Sequence, residues 1–490
     1  MKKKENIKWI FLIIGCISYI FLNGELNIGI SAWVWTFSIL YFYRRSEKRW
    51  MKMLAFFLMI IISAVKWFGM VDGTFFIKSI CGIALGICFF VPYFIDSHFY
   101  KKMDGFKSTL IFPFSFATIE FLMSTMPMGE LESIAATQTD YTSLIQLAAF
   151  VGPYGISIIV SWLASTVIYI IDYVKEKKKI PYKAATIYLA TLIMVLFIGG
   201  LRVAMPLNNV KNIKVAVSTG IQNGTALTAN KEFSVEEHIE SMRKSITKAA
   251  TGHADMIVFN EEAFAVVNTD LDILLSEAKK YAKENNIFII LPIEIEYEEE
   301  NKLSENCLYI IDNNGKELYK YIKTRLVPLF EDKEYVAGNG DVPNLTVKLP
   351  SGKKIKFATV ICMDSNFTWF IRNKVDNDTE LLIVPSWDWK PIDRFHNNWT
   401  IFRSIENGFT LVRSTYDGYS AVFEPYGQVY GLSHTDYSGF ENVIIYETPV
   451  KSRFTIYKYI GPIIDWMYPA ILILLLLSPK QKKRNNSGKI

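Results

Sequence analysis

The segment FATVICMDSNF (residues 357–367) ends an apolar run with a cysteine, Cys362, and places an acid, Asp364, two residues later. The run predicts a buried β-strand, and the polar residues after it predict where that strand ends. Free cysteine is among the most buried residue types. The segment alone therefore favours a small apolar residue closing a strand over a nucleophile, and the rest of the chain has to distinguish the two.

The composition divides the chain into two kinds of segment. Its 490 residues are 51% hydrophobic, which is unusual for a soluble protein of this length, and its formal net charge is +5. The apolar residues concentrate in residues 1–204 and in one run near the end, whereas residues 205–450 have an ordinary globular composition. The basic residues flank the apolar runs and form no patch with interleaved aromatics, so nucleic acid is not an expected partner.

Eight apolar runs approach the roughly 20 residues that a helix needs to cross a bilayer. They lie at about 9–22, 30–43, 53–71, 75–95, 109–126, 144–173, 186–204 and 460–478. We predict a multi-pass α-helical membrane domain of about seven spans over residues 1–204. A soluble domain over residues 205–455 follows, and residues 456–490 form a last span with a basic cytoplasmic tail.

The loops between these runs predict the orientation. Basic segments at 43–52, 98–107, 174–183 and 479–486 alternate with the loops NGELNIG, VDGT and MPMGELESIAATQTDYTS, which contain no Lys or Arg. Basic residues near span ends are retained in the cytoplasm. We therefore expect a cell (cytoplasmic) membrane protein whose soluble domain lies on the extracytoplasmic face.

The soluble region alternates short β-rich runs with two amphipathic helical patterns, which predicts an α/β domain with layers of sheet and helix. Charged residues follow three of its predicted strands. These ends carry Glu261 and Glu262, then Lys323 and Glu331, then Cys362 and Asp364. One charge at a strand end is usually a solvated residue, but the order and separation of these three ends are more specific.

Three motifs carry a resemblance to a known family: NEEA (260–263), KTRLVPLFE (323–331) and ICMD (361–364). With them the chain resembles the nitrilase, or carbon–nitrogen hydrolase, superfamily. It is most similar to the apolipoprotein N-acyltransferase branch, in which a nitrilase-like αββα sandwich is inserted between transmembrane spans. The segments GPYG (152–155) and TIYKYIG (455–461) also resemble that branch.

The resemblance implies a catalytic triad of Glu261 as general base, Lys323 as oxyanion stabiliser and Cys362 as nucleophile. It also implies supporting roles for Glu331, for Asp364 and for the backbone N–H of Met363. Four departures surround this triad, namely Asn260, Met363, Asp364 and the pair Tyr416 and Asp417. They leave the triad intact and put the choice of substrate in question more than the acyl chemistry.

The implied activity is transfer of an acyl chain from a phospholipid, through a thioester on cysteine, to the α-amine of a diacylglyceryl-cysteine lipoprotein. A thiol suits this step because its thiolate is nucleophilic and a thioester reacts readily with amines. The resemblance implies no cofactor and no metal, and we expect a monomer. A related acyltransferase with another acceptor, a membrane-anchored amidase or hydrolase, and an inactive scaffold remain alternatives.

Several assignments stay open at this level. Glu262 competes with Glu261 as the base, His396 could form a papain-like pair with Cys362, and a bridge between Cys307 and Cys362 would abolish the nucleophile. Three tryptophans, Trp387, Trp389 and Trp369, fit either a lid at the lipid interface or ordinary packing. Two ionisable residues within apolar runs, Glu120 and Lys66, mark either function or internal pairing.

Overall fold

A computed structural model describes residues 2–24, 26–71, 73–130, 132–219, 233–434 and 443–478. Within these ranges the α-helices are α1 Lys2–Ile20, α2 Gly29–Arg45, α3 Arg49–Phe68, α4 Phe75–Phe99, α5 Ile111–Ser124, α6 Thr142–Ile145, α7 Ala148–Lys177, α8 Tyr182–Ala204, α9 Val235–Thr251, α10 Leu271–Glu284, α11 Thr368–Lys374, α12 Asp393–Asn407 and α13 Ile456–Leu477.

The helices of the amino-terminal region follow the first seven apolar runs, and α13 follows the eighth. Six stretches among the described residues are long and apolar enough to cross a membrane: α3, α4, α5 with the 3-10 turn before it (Gly105–Leu110), α7, α8 and α13. The apolar part of α1, Ile7–Ile20, is shorter, and α2 has 17 residues. The prediction of a multi-pass helical region is confirmed.

The strands build two mixed sheets. They are β1 Lys211–Ser218, β2 Met256–Phe259, β3 Phe264–Val267, β4 Phe288–Glu296, β5 Glu305–Ile311, β6 Glu317–Ile322, β7 Asn344–Lys348, β8 Lys354–Thr359, β9 Leu381–Trp387, β10 Thr410–Tyr416, β11 Tyr419–Phe423, β12 Val429–His434 and β13 Val443–Val450. The first sheet has the order β13-β1-β2-β4-β5-β6, with β3 beside β4, and the second has the order β12-β11-β10-β9-β8-β7. The strands β1, β2 and β4 are parallel, as are β8, β9 and β10.

The two sheets pack face to face, with a helical layer on each outer side. Apolar residues alternate along the strands, so one set fills the space between the sheets, including Val258 and Phe357. The opposite face of the first sheet packs on α9 and α10, where Ile257 contributes to the core. The opposite face of the second sheet packs on α11 and α12 through residues such as Leu382 and Phe402. The predicted αββα sandwich is confirmed.

The outer helical layer of the second sheet also packs on the membrane helices. Leu382 and Phe402 belong to the same buried cluster as Trp35 of α2 and Val160 of α7. Buried ion pairs cross this contact as well, because Arg403 of α12 lies 3.0 Å from Glu130, a residue of the loop after α5. The α/β domain therefore shares one core with the membrane helices and is not merely tethered to them.

Two of the sequence motifs meet where α7 packs on the first turn of α13. Gly152 of the GPYG segment lies at a kink in α7 with a φ of 70°, and a Cβ there would come within 2.5 Å of the ring of Tyr457. Tyr457 belongs to the TIYKYIG segment that begins α13. Only glycine meets both the steric and the conformational requirement at this position.

The two ionisable residues within apolar runs are buried and paired with one loop. Lys66 of α3 forms an ion pair with Glu132. Glu120 of α5 accepts hydrogen bonds from the Ile134 N–H at 2.8 Å and the Ser133 hydroxyl at 3.1 Å. Both side chains thus fix the segment after α5, and this segment forms one wall of the candidate active site.

A buried pair between α11 and α13 gives a test of the shared core. Asp465 accepts hydrogen bonds from Arg372 at 2.9 Å and from the Tyr457 hydroxyl at 2.7 Å. The change Asp465→Ala leaves Arg372 buried without its carboxylate, and breaking such a pair costs about 3–5 kcal/mol. We expect a clearly lower midpoint of thermal unfolding in detergent micelles. The change Asp378→Ala removes an exposed pair with Lys356 and should leave that midpoint nearly unchanged; equal midpoints for the two variants would contradict the shared core.

Candidate active site

Cys362 lies where β8 gives way to a 3-10 turn (Cys362–Asn366). Its φ of 44° is in the left-handed region, which a non-glycine residue seldom adopts and which is often found at functional sites. The side chain is 7% exposed, and its Sγ lies 3.9 Å from the carbonyl oxygen of Trp387 at the end of β9. Both Cys362 and Cys307 are free thiols, so the bridge that the sequence left open is not formed.

A buried cation joins the two other triad candidates. The Nζ of Lys323 lies 2.7 Å from Glu261 Oε1 and 2.5 Å from Glu331 Oε1. Burial alone would lower the pKa of Lys323, but the carboxylates of Glu261 and Glu331 hold it well above the ordinary value. Lys323 is therefore a permanent cation between two carboxylates.

Both carboxylates are oriented by further donors. Glu261 Oε2 accepts from the backbone N–H of Trp387 at 2.9 Å, and Glu261 Oε1 also accepts from the side-chain amide of Asn306 at 2.9 Å. Glu331 Oε2 accepts from the backbone N–H of Val327 at 2.7 Å. Each oxygen of Glu261 is thus held by a fixed group, which orients its carboxylate.

The electrostatics of the site keep the thiol protonated at rest. Burial raises the pKa of Cys362 well above its usual value, Glu261 raises it further, and Lys323 opposes this effect. A reaction of this thiol as a nucleophile would therefore require a base that removes the proton as the sulfur attacks.

Glu262 lies at the same cavity but in another environment. Its Oε1 accepts from the amide of Asn306 at 2.8 Å, and its φ is 52°. Burial raises the pKa of Glu262 well above its usual value, and the nearby carboxylates Glu294 and Glu261 add to the effect. The protonated form of Glu262 is favoured, and a protonated carboxyl cannot accept the thiol proton.

Asp364 holds the backbone around the nucleophile and does not line the cavity. It accepts from the Tyr321 hydroxyl and the Arg325 N–H, both at 2.7 Å, and from the Ile361 N–H at 3.0 Å. Burial raises its pKa to about 6 despite these donors. This residue fixes the turn that carries Cys362 against the loop that follows Lys323.

The cavity in front of Cys362 has a volume of about 350 Å³ and is walled by both parts of the chain. Trp67 of α3 and Met128 of the loop after α5 face Glu261, Cys362 and Met363 across it. The apolar walls and few polar groups are typical of a small-molecule or lipid site.

The three candidate tryptophans occupy two different places. Trp387 and Trp389 line the catalytic cavity, and the indole N–H of Trp389 donates to the Met70 carbonyl just after α3 at 2.8 Å. Trp369 lines a neighbouring cavity instead. The loop after β9 is thus attached to the end of a membrane helix.

A second charged cluster beside the thiol was not predicted. Asp388 Oδ1 lies 2.8 Å from Arg413 and 2.7 Å from His396 Nδ1, and the other ring nitrogen of His396 lies 2.8 Å from Asn366. Burial and Arg413 lower the pKa of His396. Since both ring nitrogens are engaged, the papain-like alternative finds no free base in this histidine.

Sequence signals for these additional residues are weak. Asn306 is a polar residue inside the apolar strand β5, and such a residue often marks a site, whereas nothing in the spacing links Asp388 with Arg413. Two clusters among the described residues each bring three possible metal-ligand atoms within 4.8 Å of one another. They are Cys362 with Asp388 and His396, and Glu261 with Glu262 and Glu331. Arg413 pairs with Asp388 in the first cluster, and Lys323 pairs with Glu261 and Glu331 in the second.

Comparisons with known proteins agree with this arrangement. Residues 17–166 match the model of the apolipoprotein N-acyltransferase N-terminal domain, and residues 214–451 match the carbon–nitrogen hydrolase model. The fold and the site therefore define a nitrilase-superfamily domain joined to a membrane domain. The chain belongs to the apolipoprotein N-acyltransferase family.

Curated relatives carry that family name. The apolipoprotein N-acyltransferase of Rickettsia typhi is 23% identical over 378 residues, which is 72% of each chain. That of Rickettsia prowazekii is 22% identical over 373 residues, again 72% of each chain. Among solved structures, an amidase from Nesterenkonia sp. AN1 is 17% identical, with a TM-score of 0.40, and the match covers 48% of this chain and 93% of the amidase.

The balance of charges around the thiol can be tested by alkylation. Glu261→Gln removes a carboxylate that raises the pKa of Cys362 and leaves Lys323, which lowers it. We expect the midpoint of the pH profile for iodoacetamide labelling of Cys362 to fall, as measured by mass spectrometry of the peptide. The change Glu305→Gln removes a carboxylate paired with Lys320 outside the cavity and should not move the midpoint. An unchanged or higher midpoint in Glu261→Gln would contradict the assignment.

Proposed function

We propose that the protein is a membrane acyltransferase that carries an acyl chain on Cys362 from a phospholipid ester to an amine. The observation that supports this most directly is the position of Cys362. Its thiol adjoins the buried Glu261–Lys323–Glu331 network in a cavity whose other wall is formed by the membrane domain. An acyl ester from a bilayer could enter such a cavity without crossing open water.

The first half-reaction forms the thioester. Glu261 takes the thiol proton while the sulfur of Cys362 attacks the ester carbonyl. Lys323 and the backbone N–H of Met363 stabilise the negative oxygen of the tetrahedral intermediate, and a donor of this type often contributes about 3 kcal/mol. The C–O bond then breaks, the leaving alcohol takes the proton back from Glu261, and a lysophospholipid departs.

The second half-reaction uses the same groups in the same order. An acceptor amine attacks the thioester carbonyl, Glu261 takes the proton that the nitrogen loses, and the thiolate leaves and recovers that proton. The proposed acceptor is the α-amine of the diacylglyceryl-cysteine of a lipoprotein. The loops without Lys or Arg support a site on the extracytoplasmic face of the cell membrane.

Labelling of the nucleophile tests the first half-reaction. Purified protein incubated with a radiolabelled-acyl phospholipid in detergent should acquire an acyl label that hydroxylamine releases, and Cys362→Ala should not. Cys307→Ala is the matched control, because that buried thiol lies in β5 and should not affect the label. If wild-type protein remains unlabelled, the proposed function is wrong.

The acceptor is tested by the fate of the label. Addition of a diacylated lipopeptide should move the label from protein to peptide, with acylation of the free α-amine seen by mass spectrometry. Loss of the label to water at the same rate with and without the lipopeptide would instead identify a hydrolase.

The two neighbouring glutamates give opposite expectations. Glu261→Gln should slow formation of the labelled thioester by at least about 100-fold, because a general base typically contributes that much or more. Glu262→Gln should stay within about tenfold of wild type, since a neutral amide resembles the protonated carboxyl that its environment favours. Single-turnover rates of label transfer measure both, and the reverse ranking would assign the base to Glu262.

A further inference from the structure

A second cavity of about 340 Å³ lies beside the catalytic one. Its walls come from three segments: residues 125–127 after α5, residues 324–332 after Lys323, and residues 367–369 after the nucleophile turn. The same segments also supply Met128 and Val327 to the catalytic cavity. The two cavities therefore lie on opposite sides of one loop, and a ligand that extends past this loop would occupy both.

Arg325 is the cationic side chain of the second cavity. Its guanidinium lies 4.5 Å from the ring centre of Trp369 and 5.4 Å from those of Phe367 and Phe370. Within the described residues its buried Nε has no hydrogen-bond partner, and no carboxylate forms an ion pair with it. Asp332, the acid at this cavity, is exposed. The aromatic rings thus hold a guanidinium at this cavity, and no carboxylate among the described residues neutralises its charge.

The position of the cavity indicates which anion. Residues 125–127 directly follow the end of α5, which on the proposed orientation is the outer end of a span. Trp369 lines this cavity, and tryptophan is enriched at membrane–water interfaces. Met126, another lining residue, is 56% exposed. The phosphate of a lipid headgroup lies at that depth and matches the planar fork of a guanidinium.

We propose that Arg325 binds the phosphate group of the acyl donor in this cavity while the ester lies in the catalytic cavity. This inference rests on the proposed function. The backbone N–H of Arg325 donates to Asp364 at 2.7 Å, and Asp364 is two residues from Cys362. That bond fixes the offset between the anion site and the sulfur, so the headgroup positions the ester for attack.

Two acyl donors, one with a phosphate and one without, distinguish phosphate binding by Arg325 from a purely structural role. Formation of the Cys362 thioester is followed with phosphatidylglycerol and with p-nitrophenyl palmitate, a phosphate-free ester. Arg325→Gln should lower kcat/KM for the phospholipid by about 10- to 100-fold, mainly through KM, and leave the phosphate-free ester within about twofold. Arg325→Lys, which keeps the charge and loses the fork, should fall between. Lys333→Gln removes a neighbouring exposed cation outside the cavity and should match wild type.

Inorganic phosphate identifies the source of the anion that the site accepts. If phosphate competitively inhibits the wild type but not Arg325→Gln, the site accepts free phosphate. If phosphate does not inhibit the wild type, while Arg325→Gln still lowers kcat/KM for the phospholipid, the site requires a phosphate carried by a lipid. Unchanged kcat/KM for phosphatidylglycerol in Arg325→Gln overturns the inference while leaving the proposed function in place. So does an equal loss for both donors. Absence of any thioester in wild type, by contrast, overturns the proposed function itself.

Discussion

The buried charge of Lys323 is the interaction on which the rest of the site depends. A cation fully removed from water is costly, and it persists here because two carboxylates lie within 2.7 Å of its nitrogen. One of them, Glu261, is thereby held beside the thiol. The other, Glu331, accepts a backbone N–H from Val327 and so shapes the loop between the two cavities. The charge of Lys323 thus orients the carboxylate of Glu261 and, through Glu331, fixes the loop that separates the two cavities.

The second constraint is that the two parts of the chain share their core. In the αββα sandwich the first sheet covers its outer face with α9 and α10, whereas the helices on the second sheet are themselves covered by membrane helices. Trp389 hydrogen-bonds to the end of α3, and Arg403 pairs with Glu130. Cys362 is therefore held at a fixed position relative to the membrane helices by packing, not by the length of a linker.

Much of this arrangement could be predicted from local sequence. Alternation of apolar residues located the strands, the length of the apolar runs located the helices, and the three charged strand ends meet as expected. What could not be predicted depends on register between distant segments. Asp388 and Arg413 pair only because β9 and β10 lie side by side, and Trp67 lines the same cavity as Cys362 only because α3 ends against the α/β domain. No spacing along the chain encodes either contact.

The cavity between α3 and the turn that carries Cys362 affects the free-energy cost of bringing a lipid to the thiol. Moving a long acyl chain from a bilayer into water costs about 0.8 kcal/mol for each methylene, hence about 12 kcal/mol for a chain of fifteen. A thiol placed in open solvent would impose that cost on every turnover. On the proposed function, a thiol in a cavity walled by membrane helices avoids that cost, because the acyl chain can remain in hydrocarbon while only its carbonyl enters the polar site. The membrane domain in this view acts as an extension of the lipid phase up to the sulfur atom.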